Sequence, residues 1–287
     1  MSTSLVHALA GSVGGAAAMA VTYPLDQIRT LIQTGEIDAS KIPHKYMQYG
    51  STIGPILYVI SHKGYWSLYD GCESVLETIG ISNFLYFYSC RFLRQSIGLG
   101  VLSASTVSAA INTVLTEPLW KATMVIKMSR GTHQSLWTVI HKMASTDGLA
   151  SLWSSSTVSL WLVSNPVIQF TVYEYLSRHW RGKRGSIGAI EAFLIGAISK
   201  SIATITTYPL QIAQTRMRMI DPVTGKPKYT SGQMFQILRE LYAHNSLFRG
   251  CSAKLYQTVL TAAFMFAFYE RIVLLLGKAI QARKIRK

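Results

Sequence analysis

The chain carries one twelve-residue pattern three times: TYPLDQIRTLIQ at 22–33, TEPLWKATMVIK at 116–127 and TYPLQIAQTRMR at 207–218. Its prolines, Pro24, Pro118 and Pro209, lie 94 and then 91 residues apart. An aromatic residue and a turn follow each of them, Tyr69-Asp70-Gly71, Trp153-Ser154-Ser155 and Phe248-Arg249-Gly250, at 45, 35 and 39 residues. A third of the 287 residues is about 96, so the repeat accounts for the whole chain, which must be built from three similar units. The expected boundaries are 1–98, 99–184 and 185–287. A proline late in a helix removes one backbone hydrogen bond and kinks it. Three kinks at matching depth would draw three helix ends together and close one end of a three-fold bundle.

Six long, weakly charged segments run at about 5–33, 72–97, 101–128, 155–180, 187–217 and 252–276, each longer than the ~20 residues a helix needs to cross hydrocarbon. Each mixes Gly, Ser, Thr and a few charges, as helices do when one face meets lipid and another meets water or protein. The polar stretches between segments 1–2, 3–4 and 5–6 are long and the others short, which predicts three helical hairpins. The expected fold is an all-α membrane protein of six transmembrane helices in a three-fold pseudosymmetric bundle of two-helix repeats. Only 14% of residues are charged and 49% are hydrophobic, whereas soluble domains are nearer ~25% charged. The net charge of +15 would suggest nucleic acid in a soluble protein. In so apolar a chain it points to anionic lipid head groups and anionic solutes, so nucleic acid is not an expected partner. The seven His are scattered and the three cysteines, Cys72, Cys90 and Cys251, have neither disulfide nor zinc spacing. No cofactor, no metal and no enzymatic activity is expected. The start MSTSLVHALAGSVGG has neither a basic n-region with a cleavage site nor a transit-peptide composition, and the mature chain is expected to begin near Met1.

At these residues the chain resembles the mitochondrial carrier family over its full length. That family's signature is Pro-x-Asp/Glu-x-x-Lys/Arg on each odd helix, then Asp/Glu-Gly, four residues, an aromatic, Lys/Arg and Gly. Repeat 1 matches through Pro24, Asp26, Arg29 and Gln33, with both charges of its second half inverted (Lys63-Gly64, Tyr69-Asp70-Gly71). Repeat 2 keeps Pro118, Asp147-Gly148 and Trp153 but has Trp120 and Thr123 in the charged slots. Repeat 3 keeps Pro209, Phe248-Arg249-Gly250 and a shifted Arg216, with Gln211 and Gln214 in the charged slots. A closer resemblance is to the peroxisomal branch, carriers of coenzyme A, FAD, NAD and adenine nucleotides, through SNFLYFY at 82–88, EPLW at 117–120, NPVIQF at 165–170, IGAISKSIATITTYPLQ at 195–211 and AKLYQTVLTAAFMFAFYE at 253–270. The resemblance implies nucleotide-cofactor exchange across the peroxisomal membrane by alternating access. A mitochondrial inner-membrane carrier of another anionic metabolite, or a degenerate carrier serving as a scaffold, are the alternatives.

In the family, three ion pairs close the organelle-interior end, joining the acid of one repeat to the base of the next. Mapped onto this chain, Asp26 faces Thr123, Trp120 faces Gln214 and Gln211 faces Arg29, so none is a full salt bridge. The resemblance therefore implies a gate held by hydrogen bonds and the Trp120 ring, weaker than the family norm, and slow uniport beside exchange. Tyr173-Glu174 and Tyr269-Glu270 resemble the opposite, cytosolic gate, with Ser177 and Val273 where basic partners belong and Arg178 one place late.

A three-fold scaffold moving an asymmetric solute must break its symmetry where the solute binds. Seven residues beyond the turn glycine position lie Thr78, Leu162 and Gln257; six beyond lie Glu77, Trp161 and Tyr256; four beyond lie Val75, Ser159 and Lys254. The family contacts substrate near this depth. Nine residues before the proline, Gly15 and Ala109 correspond to Lys200. A lysine at bilayer depth costs ~2.5–3.5 kcal/mol and faces a cavity or a partner, so Lys200 and Lys254 are candidate phosphate contacts. Packing of Lys200 against a carboxylate such as Glu77, and snorkelling of Lys254 to the membrane end, are the plainer readings. Asn165 with Gln169 on helix 4, and Asn83 with Phe87 on helix 2, put amides and aromatics on faces suited to an adenine or to ordinary interhelical packing. Two basic clusters remain, Arg178, Arg181, Lys183 and Arg184, and Lys278, Arg283, Lys284, Arg286 and Lys287. They suit a lipid head-group rim on the face the resemblance assigns to the cytosol; alternatively the first is read by a peroxisomal membrane-protein import receptor.

Overall fold

The computed structural model describes residues 3–37, 42–129, 134–184, 188–219, 228–229 and 232–285. Among them are five helices of 25 residues or more: α1 (Thr3–Thr34), α4 (Cys72–Ser96), α5 (Val101–Met128), α9 (Ala189–Met217) and α11 (Cys251–Ile285). A sixth column is split into α7 (Ser156–Trp161) and α8 (Ser164–Arg184). The columns form a closed ring: α1 touches α4, α4 lies along α5, α5 meets α7, α8 lies along α9, α9 meets α11, and α11 returns along α1. The most extensive contacts, α1 with α11, α4 with α5 and α8 with α9, are those between repeats.

These seams close tightly because small residues line them. Ala18, Ala104, Ser108, Ser199, Ala203 and Ala253 are fully buried, and small side chains let helix backbones approach. Each seam also carries a polar pair. Thr22 and Thr261 share a hydrogen bond of 2.7 Å between α1 and α11, Thr78 and Thr123 one of 2.8 Å between α4 and α5, and Asn165 donates to Thr207 at 2.7 Å between α8 and α9.

Segment 155–180 differs from its expected continuous helix. Pro166 has no N–H to offer the carbonyl of Leu162, and that carbonyl instead accepts from Asn165, three residues on, at 3.0 Å. Val163 likewise bonds back three residues to Leu160. The tightened turn at 162–163 separates α7 from α8.

The long connections, read from sequence only as polar stretches, contain helices: α2 (His44–Met47) and α3 (Gly50–Lys63), α6 (Leu136–Asp147) and α10 (Met234–Ala243). One amphipathic helix per repeat buries an i, i+3, i+7 triplet: Thr52, Pro55 and Val59; Leu136, Val139 and Met143; Met234, Ile237 and Leu241. The triplets of the second and third repeats, and Val59 of the first, pack beneath their odd helices in three corresponding apolar cores, while Thr52 donates to Ser252 of α11 at 3.1 Å. The fourth and eighth residues after each proline, Ile28 and Ile32, Ala122 and Ile126, Ala213 and Met217, are the matching positions from above. Burial of one such aliphatic side chain contributes ~1.5–3 kcal/mol, so the proline end is where the bundle is held together.

Away from those cores the outer faces carry uncovered apolar side chains at helical spacing: Ile190, Leu194, Ile198, Ile202 and Ile205 on α9, Phe84, Phe87 and Tyr88 on α4, and Val107, Ile111, Val114 and Leu115 on α5. By length and composition one stretch among the described residues, Ile190–Met217, is apolar enough to cross a membrane.

The turns that start α4 and α11 are cramped. Gly71 has φ +75°, and a Cβ there would stand 3.0 Å from Cγ of Lys127 on the next repeat; Gly250 has φ +79°, and its Cβ would meet the Tyr208 hydroxyl at 3.3 Å and Ile32 at 3.4 Å. Gly148 has a similar φ of +78° with nothing nearby. A left-handed backbone costs a residue with a Cβ ~1–2 kcal/mol, so all three Gly→Ala variants lose stability. Gly71→Ala is expected to lower the thermal unfolding midpoint in detergent by several degrees more than Gly148→Ala. Equal losses would show that the approach of Lys127 to this turn contributes nothing.

Candidate functional site

A cavity of about 790 Å³ occupies the middle of the ring, lined from α1, α4, α5, α8, α9 and α11. Its floor is made by the segments around the three prolines. Asp26, buried on α1, accepts from Lys127 of α5, from Arg29 one turn along its own helix at 3.2 Å, and from Gln257 Nε2 of α11 at 3.1 Å. Lys254 Nζ donates to Oε1 of that same Gln257 at 3.3 Å. One carboxylate therefore ties together all three repeats.

Two further links complete the ring. Glu117 of α5 accepts from Arg218 of α9 through both oxygens, at 2.9 and 3.1 Å, and from the Ser155 and Ser159 hydroxyls. Gln214 donates to Ser159 at 2.7 Å, and the Arg218 guanidinium stands 5.9 Å from the centre of the Trp120 ring. Gln33 of α1 donates to the Tyr208 hydroxyl of α9 at 2.9 Å and accepts from Thr215 at 3.1 Å. In each repeat the ninth residue after the proline (Gln33, Lys127, Arg218) crosses to the neighbouring odd helix. For Gln33 and Arg218 the partner is the residue just before that helix's proline. For Lys127 it is Asp26, with the ring of Tyr23, also just before a proline, 5.0 Å away. Tyr23 and Tyr208 in turn donate to the turn carbonyls of Asp70 and Arg249 at 2.7 and 2.9 Å and stack on Tyr69 and Phe248. The floor is thus anchored to the turns that begin the even helices.

This corrects the gate expected from the signature slots. Asp26 meets Lys127 and not Thr123, which instead bonds Thr78. Gln211 bonds Thr207 on its own helix and Arg29 pairs with Asp26, so Gln211 and Arg29 do not face one another. Gln214 reaches Ser159, leaving Trp120 to Arg218. Two inter-repeat ion pairs exist where none was expected, and the premise of a gate held by hydrogen bonds and a ring alone falls. The missed residues are Lys127, Arg218, Glu117 and Gln33 in its bridging role. Their signal lay in the second and last letters of the twelve-residue pattern, E and K or R, one place before and nine after the proline.

Of the expected binding residues, Lys200, Lys254, Gln257 and Gln169 line the cavity, joined by Trp120, Thr123, Asp26 and Arg29. Lys200 donates to Asn165 Oδ1 at 2.9 Å, and Asn165 is buried behind it, bonded through Nδ2 to the Ala203 carbonyl and Thr207. Glu77 is exposed, accepts from the Trp137 indole at 3.1 Å, and is no partner of Lys200. Thr78 is buried behind Thr123; Asn83 and Trp161 are exposed and not on the cavity wall. Glu174 pairs with Arg178 one turn along α8, both largely exposed, so among the described residues this carboxylate is paired within its own helix. Glu270 lies on α11, but its side chain is outside the described residues, as are those of Lys183, Arg184, Lys278, Arg283 and Lys284; Arg286 and Lys287 lie outside them altogether. The three cysteines are free and half-buried, and among the described residues no group of His, Cys, Asp or Glu is placed to hold a metal ion.

Five cations, Arg29, Lys127, Lys200, Arg218 and Lys254, and one carboxylate, Asp26, line the cavity among the described residues. Three repeats around a cationic cavity, closed below by bonds from each repeat to the next, define a membrane carrier. Residues 2–100, 98–184 and 185–279 match the family of mitochondrial carrier proteins. Peroxisomal membrane protein PMP34 of Mus musculus is 34% identical over 94% of this chain and 92% of its own length. The peroxisomal nicotinamide adenine dinucleotide carrier of Arabidopsis thaliana is 28% identical over 95% and 96%, and peroxisomal adenine nucleotide carrier 1 of the same plant 28% over 94% and 90%. The chain belongs to the mitochondrial carrier family, among its peroxisomal members, and its place is the peroxisomal membrane.

Removing one partner of a buried ion pair leaves an uncompensated charge and costs ~3–5 kcal/mol. Glu117→Ala and Arg218→Ala should therefore each lower thermal stability, and the double variant should be destabilised by at least ~1 kcal/mol less than the sum of the two. Strict additivity in that cycle would mean the pair does not couple the second and third repeats.

Proposed function

We propose that this protein exchanges anionic nucleotide cofactors across the peroxisomal membrane by alternating access, with residues 1–98, 99–184 and 185–287 as its three repeats. The observation that carries the reading is the cavity's excess of cations over carboxylates, closed at one end. The relatives named for NAD and adenine nucleotides support the substrate class, and coenzyme A and FAD share the phosphate-bearing nucleotide those names describe. Six columns spanning the bilayer explain the uncovered apolar faces of α4, α5 and α9, since a contiguous apolar surface of that extent is unfavourable in water.

Lys200 and Lys254 are the phosphate contacts. Both are held by neutral amides, Asn165 and Gln257, which leaves their charge to the ligand. A lysine is a point-charge donor suited to a phosphate that must also leave. Gln169, on the cavity wall and without a hydrogen bond among the described residues, is available to the edge of a base. The ring at the prolines is the closed gate. It opens when the odd helices move about Pro24, Pro118 and Pro209, and Asp26, Arg29, Trp120, Thr123, Gln211 and Gln214 move with it. Glu174 and Glu270 belong to the opposite gate. Lipid head groups meet the basic rim.

The test is uptake of labelled adenine nucleotides by reconstituted liposomes, preloaded or empty. Exchange is expected to exceed uptake into empty vesicles. Charge-assisted hydrogen bonds contribute ~1.5–3 kcal/mol, so Lys200→Ala and Lys254→Ala should each raise KM by roughly ten-fold or more. Folded protein that moves no nucleotide would refute the reading, and unchanged KM in both variants would remove the lysines from the site.

A further inference from the structure

The fourth column and α9 are interrupted at one level. Ser159 of α7, below the break at 162–163, accepts from Gln214 at 2.7 Å and from Arg218 at 3.4 Å, five and nine residues past Pro209. Asn165 of α8, just above the break, donates to the Ala203 carbonyl at 3.1 Å and the Thr207 hydroxyl at 2.7 Å, six and two residues before Pro209. Between Ser159 and Asn165 the partners on α9 therefore cross its proline, so break and kink lie side by side. The two corresponding seams lack this match: α4, which lies along α5 and its Pro118, and α11, which lies along α1 and its Pro24, are each one unbroken helix.

A helix bends most easily where its regular backbone bonds are missing. Pro209 denies the Ile205 carbonyl its helical donor, and Pro166 does the same to Leu162. At the break the Trp161 carbonyl takes the Ser164 hydroxyl at 2.7 Å and the Leu160 carbonyl takes the Val163 N–H at 3.1 Å. Two adjacent helices weakened at one level make a hinge line. Below it, α7 and the end of α9 belong to the floor, tied through Glu117, Ser155, Ser159 and Arg218. Above it, α8 and the start of α9 form a second block, which carries Gln169 and Lys200 on the cavity wall.

One side chain reaches from the cavity to this line. Asn165 is buried, accepts from Lys200 at 2.9 Å through Oδ1 and directs Nδ2 to Ala203 and Thr207. Thr207 also accepts from Gln211 at 3.1 Å, on the far side of Pro209. The path Lys200–Asn165–Thr207–Gln211 thus crosses the kink, and its fork at Asn165 braces the place where backbone bonds are missing. Resonance keeps an amide planar, so Oδ1 cannot follow the ammonium toward an anion in the cavity without drawing Nδ2 from its partners. An ionised phosphate is a stronger acceptor than an amide and supplies that pull.

We propose that Asn165 is a positioning residue for transport: its fork stiffens the hinge line while the cavity is empty, and an anion at Lys200 loosens the fork so that the α8–α9 block bends on the floor. The inference rests on the anion-exchange reading above and adds a moving part in an even column to the ring at the prolines.

The test is nucleotide exchange in liposomes by variants of the full chain. Pro166→Ala restores the N–H that Leu162 lacks and lets α7 run on into α8. Its thermal midpoint should equal or exceed that of the wild type, while kcat for exchange falls by roughly fivefold, the factor one net hydrogen bond is worth, with KM within about twofold. Thr207→Val keeps the bond from Lys200 to Asn165 but removes the hinge arm of the fork. Bending then needs no anion, and uptake into empty vesicles should rise at least ~3-fold relative to exchange; Thr207→Ser, which keeps the hydroxyl, should rescue the wild-type ratio. Asn165→Ala should show the same rise together with a higher KM, because Lys200 is no longer aimed. Proportionate losses of both kinds of uptake in the Asn165 and Thr207 variants, or full-rate exchange by Pro166→Ala, would overturn the inference and leave the nucleotide reading standing. Folded wild type that exchanges no nucleotide would overturn both. Should Asn165→Ala fail to fold, Pro166→Ala and the two Thr207 variants decide the matter.

Discussion

A carboxylate placed in the floor of a helical ring is costly unless cations and donors answer it. Asp26 is answered from three directions: by Lys127 of the second repeat, by Gln257 of the third and by Arg29 of its own helix. Several features of the closed end are arranged around that meeting. Gly71 lacks a side chain where Lys127 passes, Tyr23 lies under the Lys127 ammonium, and Gln257 hands the contact on to Lys254. Lys254, the proposed phosphate contact, and the Asp26 carboxylate are thus two hydrogen bonds apart through one amide.

The three repeats solve one geometric problem with three chemistries. At the residue before the proline stand Tyr23, Glu117 and Tyr208; nine residues after it stand Gln33, Lys127 and Arg218. Two of the three inter-repeat links are ionic, and the third, between Gln33 and Tyr208, is neutral. Breaking the neutral link uncovers no charge, whereas the ionic ones do. At the level of the prolines the direct link between α1 and α9 is therefore the one that parts without uncovering a charge, while α1 and α11 stay in extensive contact along the same seam.

Much of this was legible beforehand for a physical reason. Prolines and turn glycines fix backbone geometry locally, so their spacing reveals repeat number and hairpin order, and a lysine in an apolar segment is conspicuous at Lys200 and Lys254. Partner choice was less legible. Which side chain answers Asp26 depends on helix rotation and on side-chain length: Lys127 is long enough to reach from nine residues past its proline, whereas Thr123, in the expected slot, finds Thr78 first. Glu77 and Trp161 sat at the right depth but on the wrong face, because depth follows from counting along a helix and facing does not. The helices within the connections escaped notice although their i, i+3, i+7 triplets are present, because a stretch of ten to fourteen residues with one buried stripe resembles a polar loop until its partner surface is known.

The central claim is that the ring at the prolines must open for a solute to pass. It is tested most directly by joining the ring covalently at its neutral seam. In a variant with Cys72, Cys90 and Cys251 replaced by alanine, Gln33→Cys and Tyr208→Cys put thiols where the first and third repeats meet, and a short, reducible bis-thiol reagent joins them. Transport should stop on cross-linking and return on reduction, with each single-cysteine variant unaffected by the reagent. A cross-linked carrier that still exchanges nucleotide at its full rate would contradict the account, because the solute would then cross without that seam parting.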